Sequence, residues 1–192
     1  MQPAMSKERI QALSEKLKNS NVYLEFGMGG STILAARIGV PHIFSVDSSL
    51  EWLSNITTEI SKIPMRSKIK LLHADLGKIG DWGHPIGQEK ISNWPSYYSG
   101  PWQTIQSSDI SPDLVLIDGR FRVACFLYSI LNLNPGSTII WDDYLNRQEY
   151  HIIESILKPY QYVDSMALFK ITEIPDYRRT ISMIFENLYN QD

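Results

Sequence analysis

Residues Asn21 to Asp47 read N-V-Y-L-E-F-G-M-G-G-S-T-I-L-A-A-R-I-G-V-P-H-I-F-S-V-D. Val22, Leu24 and Phe26 form a short apolar run that stops at Gly27, and Ile43 to Val46 repeat the pattern before stopping on Asp47. Between them lie a glycine turn and a helical stretch, so the segment is one strand-turn-helix-strand unit. Gly27, Gly29 and Gly30 stand where the absence of a Cβ lets the backbone bend sharply and approach a ligand.

The turn departs from a dinucleotide fingerprint, which wants a third small residue where this chain has Thr32. Glu25, two residues before the first glycine, reads as a carboxylate that repels a pyrophosphate and attracts a cationic ligand. A nicotinamide-linked oxidoreductase is therefore disfavoured. The run E-F-G-M-G-G-S followed by an apolar strand ending in Asp47 resembles the cofactor site of class I S-adenosylmethionine-dependent methyltransferases, and the nearest pattern is that of the bacterial catechol-type O-methyltransferases. The resemblance implies that Glu25, Gly27, Gly29 and Ser31 wrap the methionine part of S-adenosylmethionine and that Asp47 accepts hydrogen bonds from its ribose. Asp75, at the end of the third strand, is the positional match to an adenine contact, or else caps the turn that follows.

The 192 residues, 43% of them hydrophobic, suffice for a single domain over 1–192 with a substantial core. A formal charge of −3 with scattered basic residues supports neither a nucleic-acid nor a membrane partner. The lone Cys125 forms no internal disulfide, and no long apolar segment or signal-peptide pattern is evident. The expectation is a cytoplasmic protein acting on a small molecule, as a monomer or homodimer.

Ser6 caps a helix within 1–20, and Ser48 or Ser49 caps another that ends near Pro64. A third strand covers Ile69 to Leu72. From Gly77 to Pro112 periodicity is lost amid Gly, Pro, Ser and large aromatics, which reads as a substrate-facing insertion or as a loop whose rings tuck onto the body. Asp113 to Asp118 then read as a strand buried on both faces, Phe121 to Leu133 as a deeply packed helix, and Ser137 to Trp141 as a fifth strand. A helix over Arg147 to Leu157, a hairpin formed by Tyr160 to Val163 and Ala167 to Ile171, and a helix over 175–190 complete the chain. Tyr177, Ile181, Ile184, Phe185 and Leu188 mark the last helix's apolar face, for the core or a dimer contact. The alternation predicts an α/β fold with a doubly wound, mostly parallel sheet. The resemblance implies seven strands, the last antiparallel, and a ligand site at the carboxyl ends.

Methyl transfer from a sulfonium needs an aligned acceptor that can lose a proton. Asp118 with Asp142 and Asp143 resembles the metal triad of the catechol-type enzymes, which implies a divalent cation such as magnesium. Two adjacent strand residues share one ion only if the strand has already turned, and Asp143 can instead cap a helix. The family's catalytic lysine falls on Phe121, so the base is unassigned; Asp118, Asp142 and His84 are the catalytic candidates. Arg120 and Arg122 match an anionic acceptor or are solvated surface, and Trp102 is a candidate substrate contact. The reading is methyl transfer to oxygen of a small polar or sugar-like acceptor. The alternative is a cofactor- or ligand-binding protein of the same fold without turnover.

Overall fold

The computed structural model describes residues 1–64, 66–173 and 176–192. Seven strands form one sheet: β1 (Val22–Phe26), β2 (His42–Asp47), β3 (Lys68–His73), β4 (Leu114–Ile117), β5 (Thr138–Trp141), β6 (Gln161–Val163) and β7 (Met166–Lys170). Their order is β3-β2-β1-β4-β5-β7-β6. The first five are parallel, and β7 pairs antiparallel with both β5 and β6. The sheet grows outward from β1 in both directions, so the strand order reverses between β1 and β4, where such sheets leave a crevice at their carboxyl ends.

Strand periodicity decides what each face carries. Leu24, Phe26, Val115, Ile117, Ile139 and Trp141 point into the larger core, where α4 (Pro95–Gln106), α5 (Arg122–Asn132) and α6 (Tyr177–Glu186) pack. Tyr23, Ile43, Leu114, Leu116 and Ile140 point to the other face and meet Leu13 and Leu17 of α1 (Lys7–Leu17) and Ala35 and Ala36 of α2 (Gly30–Ile38). On that face α3 (Leu50–Ile60) packs Ile56 and Ile60 against Ile33. Helix α1 starts where Ser6 Oγ accepts the Arg9 N–H at 3.3 Å, and α3 where Ser49 Oγ accepts that of Trp52 at 3.1 Å. These caps satisfy amides that have no partner within the first helical turn.

Three expectations change. The 77–112 segment contains α4, whose Tyr97, Tyr98, Trp102 and Ile105 are buried at helical spacing beside the N-cap Trp94. Pro101, which cannot donate the interior helical bond, is buried within the helix. The aromatics therefore mostly build the core. Between Arg147 and Leu157 the chain forms a 3-10 helix over Gln148–Ser155. Helix α6 buries Thr180, Met183 and Ile184, whereas Tyr177, Ile181 and Phe185 face outward, Phe185 70% exposed. Its cap is Asp176, whose carboxylate accepts the Arg179 N–H at 3.2 Å; the start expected at Pro175 lies outside the described residues. Among the described residues no helix is long and apolar enough to cross a membrane.

Candidate functional site

The glycine turn leaves β1 at Gly27, whose φ of +98° lies in the region L side chains rarely adopt. A Cβ there would stand 2.6 Å from the Gly119 nitrogen, so the turn abuts the loop after β4 backbone to backbone. The space at Gly29 is open: a Cβ there would find nothing nearer than Ser31 Oγ at 4.0 Å.

Glu25 lies beneath this turn and not in the crevice. It shares the face of Tyr23, which strand alternation turns toward α2, and is fully buried. Its carboxylate accepts hydroxyls from Thr32, from Ser45 at 2.7 Å and from Tyr23 at 3.2 Å. Burial pushes its pKa up to about 7, against the ionising pull of the Ser31, Thr32, Ser45 and Tyr23 hydroxyls. Thr32 Oγ1 also accepts the Gly29 N–H at 3.0 Å, so the residue that breaks the dinucleotide pattern ties the turn to Glu25. The expected direct attraction of Glu25 for a cationic ligand thus becomes a supporting role, since the charge is neither exposed nor fully ionised.

Asp47 closes the turn from β2. One of its oxygens accepts the Met28 N–H at 3.1 Å and the other the Ser49 N–H at 2.9 Å. Burial raises its pKa, while the backbone bonds from Ser49, Met28 and Ser48 oppose the rise. Each carboxylate oxygen keeps acceptor capacity for a further donor. Asp75 instead caps its own turn, accepting the Gly77 N–H at 3.1 Å and pairing with Lys90. Of the two readings of Asp75, the geometry gives the cap.

At the ends of β4 and β5, Asp118, Asp142 and Asp143 bring one carboxylate oxygen each within 4.8 Å of one another. The obstacle seen in the sequence is removed because β5 ends at Trp141 and Asp143 turns into the left-handed region at φ +54°. A guanidinium joins two of these acids, however. Arg9 Nη1 donates to Asp142 Oδ1 at 2.8 Å and Asp143 Oδ1 at 3.0 Å, and Arg9 Nε lies 3.1 Å from Asp164 Oδ2. A divalent ion coordinates oxygens at about 2.0–2.6 Å, and here Arg9 already occupies one oxygen of each of these two acids and supplies the opposite charge. The expected metal triad converges, but the residue holding it is a cation of the chain itself. Nothing in the sequence marks Arg9, which reads as one charge among several on an amphipathic helix.

Asp118 is the acid of the three that Arg9 does not bond, its side chain 31% exposed and 3.4 Å from Arg122. Loss of solvation in this recess, with Asp142 and Asp143 close by, outweighs Arg122 and pushes its pKa up to about 7. Arg122 is buried and spends its donors on the carbonyls of Gly119 at 2.9 Å, Asp142 at 2.7 Å and Asp118 at 3.0 Å. It braces the loops and is not free to clamp a substrate. Trp102, 2% exposed, belongs to the core and not to a substrate surface. His84 does reach the site, where Arg120 donates to its Nε2. Arginine has no acceptor, so that ring nitrogen accepts a hydrogen bond from Arg120. Arg120 is itself buried, and its Nε has no hydrogen-bond partner among the described residues.

No protein-family model matches the sequence, and no curated protein does. Among solved structures, a methyltransferase-like protein from Silicibacter pomeroyi DSS-3 is similar at 29% identity and a TM-score of 0.90, over 98% of this chain and 97% of that one. The chain has the class I methyltransferase fold. An O-methyltransferase from Bacillus cereus in complex with SAH is similar at 16% identity, TM-score 0.58, over 88% and 84% of the two chains. A cofactor-bound protein from MTB is similar at 15% identity, TM-score 0.62, over 88% and 82%.

In class I methyltransferase terms, the turn at Gly27 and the acid Asp47 stand at neighbouring strand ends. Tyr97, one of the aromatics of the 77–112 segment, braces the loop after β4. Its hydroxyl accepts the Arg120 N–H at 3.2 Å, and its ring packs on Phe26 and Phe121. The signal for it was the spacing Trp94, Tyr97, Tyr98, Trp102, Ile105, obscured by Pro101.

Proposed function

We propose that this protein is an S-adenosylmethionine-dependent methyltransferase acting on a hydroxyl oxygen of a small polar acceptor. The observation that carries the reading is the glycine turn itself, packed at Gly27 against the Asp118–Gly119 backbone, open at Gly29, and held by Asp47 through the Met28 N–H. These residues fit the donor. Gly29 offers open backbone for a close approach, and Asp47 has the spare acceptor capacity that a pair of ribose hydroxyls needs.

When bound, S-adenosylmethionine supplies an electrophilic methyl group. Asp47 and the turn hold the donor, and Glu25 with Thr32 keep the turn's shape. Asp118, with a pKa near 7, would take the proton of an acceptor hydroxyl positioned beside it. Arg120 lines the same loop and suits an anionic group on the acceptor.

A second reading, binding without turnover, draws support from the occupied Nε2 of His84 and from the commitment of Asp142 to Arg9. Calorimetric titration with S-adenosylhomocysteine tests the donor site directly. Saturable binding, weakened at least tenfold in Asp47→Ala, is expected; no heat at millimolar ligand would reject both readings. Transfer of labelled methyl to a panel of hydroxylated small molecules then separates turnover from binding alone.

A further inference from the structure

The acid cluster beyond β4 and β5 carries an inference that stands apart from the methyl-transfer reading. Three carboxylates within 4.8 Å repel one another in a poorly solvated recess, and the fold must supply a cation to hold them together. Asp142 is the most demanding, with its side chain 3% exposed. Arg122 approaches it from the α5 side but gives its Nη1 hydrogen to the Asp142 backbone carbonyl, not to the carboxylate. The Asp142 charge is balanced by Arg9.

Arg9 is built into this position. Its side chain is 14% exposed, it bonds both Asp142 and Asp143 through Nη1, and its Nε lies between Asp164 Oδ2 at 3.1 Å and Ser6 Oγ at 3.4 Å. Ser6 is also the cap of α1, so the contact that starts the helix also braces the guanidinium. One planar cation thereby joins the first helix, the end of β5 and the β6–β7 turn. Such a fork of fixed donors suits several carboxylates at once better than a lysine ammonium does. The guanidinium occupies Asp142 Oδ1 and Asp143 Oδ1, and its positive charge repels a divalent ion from the same two carboxylates.

We propose that Arg9 is the resident cation of the Asp118–Asp142–Asp143 cluster, so that the folded protein holds no divalent ion there, and that removing Arg9 turns the cluster into a divalent-cation site. Arg9 acts as a positioning residue, and α1 becomes the strap that closes the carboxyl edge of the sheet beside the crevice.

The test titrates the full chain with Mn²⁺ alone, followed by calorimetry and by the spin resonance of free ion, so that it does not depend on donor binding or turnover. Wild type is expected to show no saturable site up to about 1 mM, the weak end of protein calcium sites, and its Tm is expected to be the same in EDTA and in Mn²⁺. Arg9→Met is expected to gain one site at least tenfold tighter than that limit, lost again in Arg9→Met/Asp143→Asn. Arg9→Lys keeps a charge but not the fork, and is expected to bind Mn²⁺ more weakly than Arg9→Met. If Arg9→Met does not fold, Arg9→Lys replaces it: a folded lysine variant is expected to bind Mn²⁺ at a site wild type lacks, and one that binds no better than wild type would overturn the proposal. A wild-type site abolished by Asp143→Asn, or a folded Arg9→Met that binds no ion, would overturn the proposal.

Discussion

Glu25 accepts the hydroxyl of Thr32 directly beneath the glycine turn, in a pocket closed to solvent. Burial raises its pKa from 4.5 to about 7, so the folded state binds a proton that the unfolded chain releases at lower pH. The stabilisation is fully present below pH 4.5 and is lost as pH rises through 7, and a shift of this size is worth about 3 kcal/mol. In Glu25→Gln this part of the pH dependence is expected to vanish. Urea midpoints measured from pH 4.5 to 8 check it, and a slope unchanged from wild type would show that Glu25 is not the group responsible.

Gly119 is held between two partners. A Cβ there would fall inside the Tyr97 hydroxyl and 2.8 Å from the Gly27 nitrogen. Gly119→Ala is expected to destabilise by about 1–3 kcal/mol through overpacking. Tyr97→Phe removes the nearest obstructing atom, so the double variant should recover part of that loss. A double-mutant cycle from denaturant unfolding measures the coupling, and strict additivity would contradict the contact.

Asp118 gives the pH profile of catalysis its sign. A carboxyl with a pKa near 7 is protonated and inactive as a base below that pH, so methyl transfer is expected to rise through pH 7 and then level off. Asp118→Asn should lose about 10²–10⁴-fold in kcat and the inflection with it, while retaining donor binding. An inflection that persists in the variant assigns the base elsewhere.

Trp102 separates core from substrate surface. Truncation to alanine removes a buried ring from the packing of α4 and is expected to cost about 3–5 kcal/mol in unfolding experiments. KM for the acceptor, measured on the folded fraction, should not change. A raised KM without lost stability would return Trp102 to the site.

Much of the fold was legible because its signals are local. The apolar runs ending at Gly27, Asp47 and Asp118 mark strands buried on both faces, and their alternation with helices leads to the doubly wound sheet. Helix α4 was not legible, since Pro101 masks a spacing that the surrounding core tolerates. The outward turn of Phe185 was equally hidden, because an amphipathic pattern says that one face is buried without saying what lies beneath it.

The sequence by itself determined the sheet, the glycine turn and the acids delivered to the carboxyl ends of the strands. Those follow from periodicity and from residues adjacent in the chain. Only the tertiary structure decided what each acid does. Strand alternation sends Glu25 under the turn, the left-handed backbone at Asp143 lets it join Asp142, and Arg9 reaches both from 133 and 134 positions away. Charge pairing depends on distance and burial in space, and that long-range meeting is not written in any local pattern.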